Sequence, residues 1–154
     1  MKPSLAWALV GTQFGLLAAL VLLLPSGGLW GRGVVVVVLS GLLIAGGLIL
    51  VALAGFGLGR SLTALPIPKN DGQLVTTGLY RWVRHPIYTG VVLAALGLVV
   101  AGASVAHLVG FLALYVVLMT KAQLEEKLLA ERYEEYEAYA QRTGRFFPRW
   151  SSVT

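Results

Sequence analysis

Ionisable and aromatic residues are concentrated in two short stretches of a chain that is otherwise largely apolar. Residues 76–90 contain two arginines, a histidine and three aromatic residues, among them Tyr80, Arg84, His85 and Tyr88. A carboxylate pair, Glu125 and Glu126, follows about 40 residues later. Such groups are costly near hydrocarbon unless a ligand uses them or they lie at the water boundary. The two stretches are therefore candidates for a site or for a membrane boundary.

A cationic cluster, a carboxylate pair and several aromatic rings suit a small zwitterionic or cationic ligand. The glutamates could bind an ammonium group of the ligand, and an arginine could bind its carboxylate. Aromatic rings could contact a positively charged centre. S-adenosylmethionine has all three features, although these residue types alone do not single it out. The alternative is structural, because arginine anchors spans by snorkelling and glutamates form i,i+4 pairs on solvated helices.

Composition indicates an integral membrane protein with a single membrane domain, residues 1–154. The chain has 154 residues, of which 57% are hydrophobic and 12% charged, and a mean hydropathy of +0.79. These values are outside the range of soluble domains. A net charge of +5 would suggest nucleic acid for a soluble protein, but here we expect membrane lipids as the surroundings and no nucleic acid. Cysteine is absent and the two histidines are far apart, so no metal site is expected.

An all-α fold with about four transmembrane helices follows from the apolar runs, at residues 5–24, 34–58, 86–100 and 105–120. The first run is longer than the ~7–15 apolar residues of a signal peptide, which favours a span. The last two spans form a tight hairpin, and Pro86 is well placed as the first helical residue. Small residues in the second span predict close contact with a neighbouring helix, namely Gly41, Ala45, Gly46 and Gly47.

A charged, amphipathic cytoplasmic helix is predicted to continue from the fourth span, without a break, over residues 121–141. Glu125, Tyr136 and Tyr139 then share one face at about 100° per residue. The structural alternative is a solvated helix in which Lys121 and Glu125, or Lys127 and Glu131, form i,i+4 pairs. The aromatic and basic tail after Gly144 is typical of a membrane interface.

Orientation follows from the basic residues. With four crossings, the N-terminus, the loop of residues 60–85 and the C-terminal helix share one side, and this side holds eleven of the twelve Lys and Arg residues. The positive-inside rule makes that side cytoplasmic, with both termini in the cytoplasm and a bacterial-type plasma membrane as the location. Both candidate stretches then lie at the same face.

The two stretches together resemble the isoprenylcysteine carboxyl methyltransferase and phospholipid methyltransferase superfamily. The matching features are an Arg-His-Pro-x-Tyr core at residues 84–88 within residues 78–90, the Glu-Glu pair across one helical hairpin, and Tyr136-x-x-Tyr139. The resemblance covers about residues 74–149. It implies a membrane-embedded enzyme that uses S-adenosylmethionine.

The resemblance also implies roles for individual residues. Arg84 and His85 are the candidate catalytic residues. Arg84 would steer an acidic substrate group, and His85 or a glutamate could act as a base if the acceptor is an amine. The implied cofactor-binding residues are Tyr80, His85, Tyr88, Gly90, Glu125, Glu126, Tyr136, Tyr139 and Pro148. No metal ligand is implied.

The predicted function is methyl transfer from S-adenosylmethionine to a lipophilic acceptor that enters from the bilayer. The acceptor could be an isoprenoid or lipid carboxylate, a phosphatidylethanolamine-type amine, or a thiol. A non-catalytic membrane scaffold or sensor with the same fold is the alternative outside the enzymes. The oligomeric state cannot be deduced from these patterns.

Overall fold

Five α-helices make up the regular structure in the computed structural model, which describes residues 3–26, 28–68 and 72–149. They are α1 Pro3–Leu22, α2 Val34–Leu58, α3 Pro86–Gly102, α4 Val105–Arg132 and α5 Tyr136–Arg142. Within these described ranges the only β-type pairing is an isolated bridge between Val83 and Gly144. The all-helical prediction is confirmed.

Three of the described helices have the length that a bilayer demands. By length and composition, α1, α2 and α4 can each cross a membrane, whereas α3 is apolar but has only 17 residues. At 1.5 Å per residue α3 is about 26 Å long, slightly less than the ~30 Å hydrocarbon core. The predicted spans agree with these helices to within two residues at their starts.

The hairpin of α3 and α4 is set by local chemistry. Pro86 is the first helical residue of α3, where its missing N–H costs no hydrogen bond. Ala103 ends α3 with a left-handed backbone (φ 46°), and Ser104 caps α4 by accepting a hydrogen bond from the His107 N–H. The connection is therefore only two residues long, as tight as predicted.

Helices α2 and α3 run antiparallel with their backbones in close contact. A Cβ atom added to Gly47 would lie 2.5 Å from the Gly90 oxygen and from the Ala94 nitrogen. A Cβ added to Gly97 would lie 2.9 Å from the Ser40 oxygen. The predicted close contact is thus confirmed at Gly47 but is wrong for Gly41, which has no atom within 4 Å of its Cβ position.

Helices α1 and α4 are also antiparallel, so the elements that carry the candidate residues meet at one end of the bundle. Leu20 approaches Gly110, while Gln13 is hydrogen-bonded to Lys121. The connection after α2 joins the same end, because Tyr80 donates to the Ala54 carbonyl. This shared end agrees with the predicted arrangement; its cytoplasmic orientation stays a prediction.

The prediction of one unbroken helix through residue 141 is wrong. Helix α4 ends at Arg132, Tyr133 is extended, and α5 begins at Tyr136. The Tyr133 hydroxyl donates to the Gly72 carbonyl at 2.7 Å. The break lets α5 fold back and bury Tyr136 and Tyr139, which a straight helix would carry away from the bundle.

The α2–α3 contact makes a testable prediction about stability. We expect Gly47→Ala to lower the thermal unfolding midpoint in detergent, because overpacking of a close contact typically costs ~1–3 kcal/mol. Gly41→Ala on the same helix is the matched control and should leave the midpoint unchanged or slightly higher. Equal midpoints for the two variants would contradict the close α2–α3 contact.

Candidate active site

A cavity of about 400 Å³ lies at the end of the bundle where the two candidate stretches meet. Its wall is formed by α1, the end of α2, the connection before α3, the start of α3, the end of α4 and α5. Small-molecule sites typically occupy roughly 300–1,000 Å³. The cavity is therefore large enough for a cofactor-sized ligand and is the candidate active site.

Glu126 is the centre of the charged cluster beside this cavity. Its Oε1 accepts hydrogen bonds from Arg84 Nε at 3.0 Å and Arg145 Nε at 2.9 Å, and lies 3.1 Å from His85 Nε2. Its Oε2 accepts from Arg145 at 2.7 Å, so that arginine binds the carboxylate through both oxygens. The side chain is only 14% exposed, and its charge is balanced by partners from two separate segments.

Arg145 belongs to a segment, residues 143–147, that we call the C-terminal strap. The strap pairs with the backbone before α3: Gly144 N–H donates to the Trp82 carbonyl, Arg84 N–H to the Gly144 carbonyl, and His85 N–H to the Arg145 carbonyl. A Cβ on Gly144 would lie 1.6 Å from the Phe147 oxygen, so this turn requires glycine. Hydrogen bonding to Glu126 raises the pKa of Arg145, which therefore stays charged.

His85 is held between the two carboxylates. It is 5% exposed, and its Nδ1 lies 3.6 Å from Glu125 while its Nε2 contacts Glu126. Its ring stacks on Tyr88 with centroids 5.2 Å apart, and the edge of Phe146 meets both rings. The Tyr88 hydroxyl donates to Glu125 at 3.1 Å. The predicted cluster of His85, Tyr88 and the glutamate pair is thus present.

Three tyrosines form the wall nearest to α5. The Tyr139 hydroxyl donates to the Tyr80 carbonyl at 2.7 Å. Burial raises the pKa of Tyr136, and it raises the pKa of Tyr139 to about 12, so both hydroxyls are neutral at physiological pH. Tyr136 is 4% exposed, and within the part of the chain that the structure describes its hydroxyl has no hydrogen-bond partner. A buried unsatisfied hydroxyl is uncommon and calls for an explanation.

Arg84 also borders the cavity, and its guanidinium is firmly held. One terminal nitrogen donates to the Ala140 and Thr143 carbonyls, and Nε donates to Glu126. Of its five N–H groups, those on the other terminal nitrogen have no hydrogen bond to the described residues. Arg81 differs, because its guanidinium lies over the ring of exposed Trp82, away from the cavity.

Lys121 and Glu125 do not form the exposed i,i+4 pair of the structural alternative. Lys121 is 1% exposed and its ammonium donates to Gln13 Oε1 at 2.5 Å and to the Ala64 carbonyl at 3.1 Å. It also lies over the Tyr88 ring, 5.3 Å from the centroid. Helix α1 and the connection after α2 supply oxygens to this amine, which a charge pattern along α4 alone does not reveal.

The structure brings most of the predicted site residues to the cavity wall. Those that border it are Tyr80, Arg84, His85, Tyr88, Glu125, Tyr136 and Tyr139. The other three lie elsewhere: Glu126 is behind the wall in the ion cluster, Gly90 packs against Gly47, and Pro148 is exposed. The predicted roles of these residues, cofactor binding for nine of them and substrate steering for Arg84, stay predictions.

Sequence reasoning missed Lys121, Arg145 and Phe146. The tail was expected at the membrane interface, but Phe146 is buried against His85 and Tyr115, and Arg145 is bonded to Glu126. Among the described tail residues, Phe147 and its exposed neighbours fit the interface prediction; Trp150, which the prediction also included, lies outside the described residues. A signal was present in Gly144, since an obligatory glycine turn before a buried aromatic residue would direct the strap back onto the bundle.

The ion cluster predicts that the strap depends on Glu126. We expect Glu126→Gln to expose the strap to trypsin at Arg142 and Arg145 and to lower the unfolding midpoint, because two arginines lose their countercharge. Because the Arg145 side chain is partly exposed, solvent screening will reduce the loss of stability. Glu134→Gln, at an exposed position, is the control. Unchanged proteolysis in Glu126→Gln would show that the strap is held by its backbone bonds alone.

Comparison with known proteins identifies relatives over most of the chain. A cobalt-zinc-cadmium resistance protein of Cupriavidus metallidurans is 40% identical over 115 residues, covering 73% of this chain and 52% of the relative. A methanethiol S-methyltransferase of Pseudomonas deceptionensis is 37% identical over 95 residues, covering 60% of this chain and 36% of that enzyme. The chain thus spans about half the length, or less, of these curated relatives.

The first relative is named for metal resistance and the second for methyl transfer. Among the described residues, no three His, Cys, Asp or Glu side chains are grouped as a metal site. The family is shown more directly, because a sequence model of the phospholipid methyltransferase family matches residues 35–136. That match contains α3, nearly all of α2, α4 in full, and every predicted site residue except Tyr139 and Pro148. The chain belongs to the phospholipid methyltransferase family.

Proposed function

We propose that the chain is a membrane methyltransferase that uses S-adenosylmethionine and methylates a lipophilic acceptor arriving from the bilayer. The observation that carries the proposal is the cavity between the two family stretches, which Glu125 and Tyr136 both border. The family match and the methanethiol S-methyltransferase relative support methyl transfer. When bound, the cofactor would supply an electrophilic methyl group.

The residues present fit such a cofactor. Glu125 accepts one hydrogen bond, from Tyr88, and borders the cavity, so it retains capacity for an ammonium group. The Tyr136 hydroxyl would gain the partner that it lacks among the described residues. Rings of several tyrosines in the wall suit a positive centre.

Glu126 has a different part in this proposal. Because its oxygens are occupied by Arg84, Arg145 and His85 and it does not border the cavity, it acts as a positioning residue. It fixes His85 and Arg84 in the wall. The remaining terminal N–H groups of Arg84 would then be directed to an acidic group of a ligand.

The acceptor is expected to be lipophilic because much of the wall is apolar. Phe14, Leu58, Leu62 and Ile87 border the cavity beside the polar groups. Phe14 is also 56% exposed on the lipid-facing side of α1, so the cavity adjoins the bilayer there. A carboxylate, a thiol or a phosphatidylethanolamine-type amine could enter by this route.

Positioning should supply most of the rate enhancement for a nucleophile that is already ionised. Orientation of two reactants is worth up to ~7–11 kcal/mol. An amine acceptor would additionally need a base, and His85, which contacts both carboxylates, is the candidate. The His85 side chain is buried and therefore largely shielded from water.

Cofactor binding is tested by calorimetric titration with S-adenosylhomocysteine. We expect Tyr136→Phe to weaken binding about tenfold, because a hydrogen bond made only with ligand is lost, while stability is unchanged or slightly higher. Tyr133→Phe is the matched control: it removes the bond to the Gly72 carbonyl, so it should lower stability and leave binding unchanged. If the parent protein failed to bind this ligand, the non-catalytic scaffold would be favoured.

Turnover is tested with labelled S-adenosylmethionine and total extracts of lipids and thiols. The parent should transfer label to an extractable product, and Glu125→Gln should reduce transfer at least about tenfold, because a charge-assisted contact to an ammonium group is lost. Glu131→Gln, exposed on the same helix, should behave like the parent. Full transfer by Glu125→Gln would refute the assignment of this carboxylate.

A further inference from the structure

Lys121 is a buried charged group that neither the family resemblance nor the cofactor accounts for. An ammonium group has three N–H donors, and the structure gives two of them to Gln13 and to the Ala64 carbonyl. Its partners come from α1 and from the connection after α2, while the Tyr88 ring lies 5.3 Å away. The residue borders the cavity, and its third N–H has no acceptor among the described residues.

The position of Lys121 along α4 distinguishes two ends of the cavity. Lys121, Glu125 and Leu129 all border it, and their i,i+4,i+8 spacing puts them along one helix face over about 12 Å. Lys121 is the member nearest to the middle of the span. Tyr133 and Tyr136, which follow α4 and border the same cavity, lie at the outer end.

The inner end also adjoins the bilayer. Phe14 follows Gln13 directly in α1, borders the cavity and is more than half exposed on a helix long and apolar enough to cross a membrane. An acceptor that enters from the bilayer would thus meet Lys121 first. The cofactor groups assigned above, Glu125 and Tyr136, lie further out.

The charges of the cavity wall make the inner end positive. Arg84 is paired with Glu126, whereas Lys121 has no carboxylate within 4 Å among the described residues. Its two oxygen partners are neutral groups, a side-chain amide and a peptide carbonyl. Glu125 is one helical turn away and is engaged by Tyr88. An ammonium group held in this way attracts an anion and repels a second cation.

We propose, on the basis of the methyl transfer proposed above, that Lys121 is an acceptor-binding residue that selects a methyl acceptor with a negatively charged nucleophile, a carboxylate or a thiolate, over an amine. An anionic nucleophile needs no base at the site. Gln13 and the Ala64 carbonyl orient the ammonium toward the cavity, and Phe14 and Leu62 contact the apolar body of the acceptor.

Binding of inert acceptor mimics tests this assignment without turnover. The probes are three compounds with one trifluoromethyl-terminated heptyl chain and a carboxylate, a primary amide or an ammonium head, titrated by fluorine NMR in neutral detergent. We expect the parent to bind the carboxylate about tenfold more tightly than the amide, as for one charge-assisted hydrogen bond, and the ammonium least tightly. Equal affinities for carboxylate and amide in the parent would overturn the proposal, whatever any variant does.

The variants separate a ligand contact from a structural one. Lys121→Gln and Lys121→Met should abolish the preference for the carboxylate, whereas Lys127→Gln, the same charge change at an exposed position of α4, should keep it. A preference that persists in a folded Lys121 variant would overturn the proposal. If neither variant folds, the probe series on the parent remains decisive.

Titration with S-adenosylhomocysteine distinguishes this proposal from the function on which it rests. Lys121→Gln should bind that ligand as the parent does. A parent that binds it without preferring the carboxylate probe would overturn only the role of Lys121. If Lys121→Gln failed to bind S-adenosylhomocysteine, the Lys121 ammonium would be assigned to cofactor binding and its role in acceptor binding would be overturned. A parent that does not bind it would remove the proposed function, and this inference with it.

Discussion

The charge of Glu126 at the edge of a membrane bundle is the constraint on which the site depends. A carboxylate that is mostly removed from water needs several donors, and here they come from residues 84–85 and from the C-terminal strap. Ion clusters of this kind add little net stability, because desolvation offsets much of the attraction. Their effect is geometric: the donors that satisfy Glu126 connect α4 to the segment before α3 and to the strap.

The bundle and the site rely on different physics. Helices α2 and α3 are held by backbone contact at Gly47, Gly90 and Gly97, where lipid offers no hydrophobic drive and close approach supplies the attraction. The site relies on hydrogen bonds between segments far apart in sequence. Changes in one should therefore affect the other only through the position of α3, which takes part in both.

Sequence patterns predicted the elements better than their long-range partners. Pro86, with its fixed φ and missing N–H, marks the start of α3, and the apolar run after Ser104 marks α4. The hydrogen bond between Lys121 and Gln13 could not be predicted from local patterns, because the two residues are 108 positions apart and neither belongs to a local motif. The break at Tyr133 was missed for a related reason: no local breaker precedes it, and the burial of Tyr136 and Tyr139 compensates for it.

The pairing of the strap with residues 82–85 has a consequence for the order in which the protein is made. These backbone bonds join the two ends of the segment that contains the α3–α4 hairpin, and the strap leaves the ribosome after all four long helices. Arg145 is thus the last of the Glu126 partners to be synthesised. The wall at His85 and Glu126 acquires its final form only when this late segment docks.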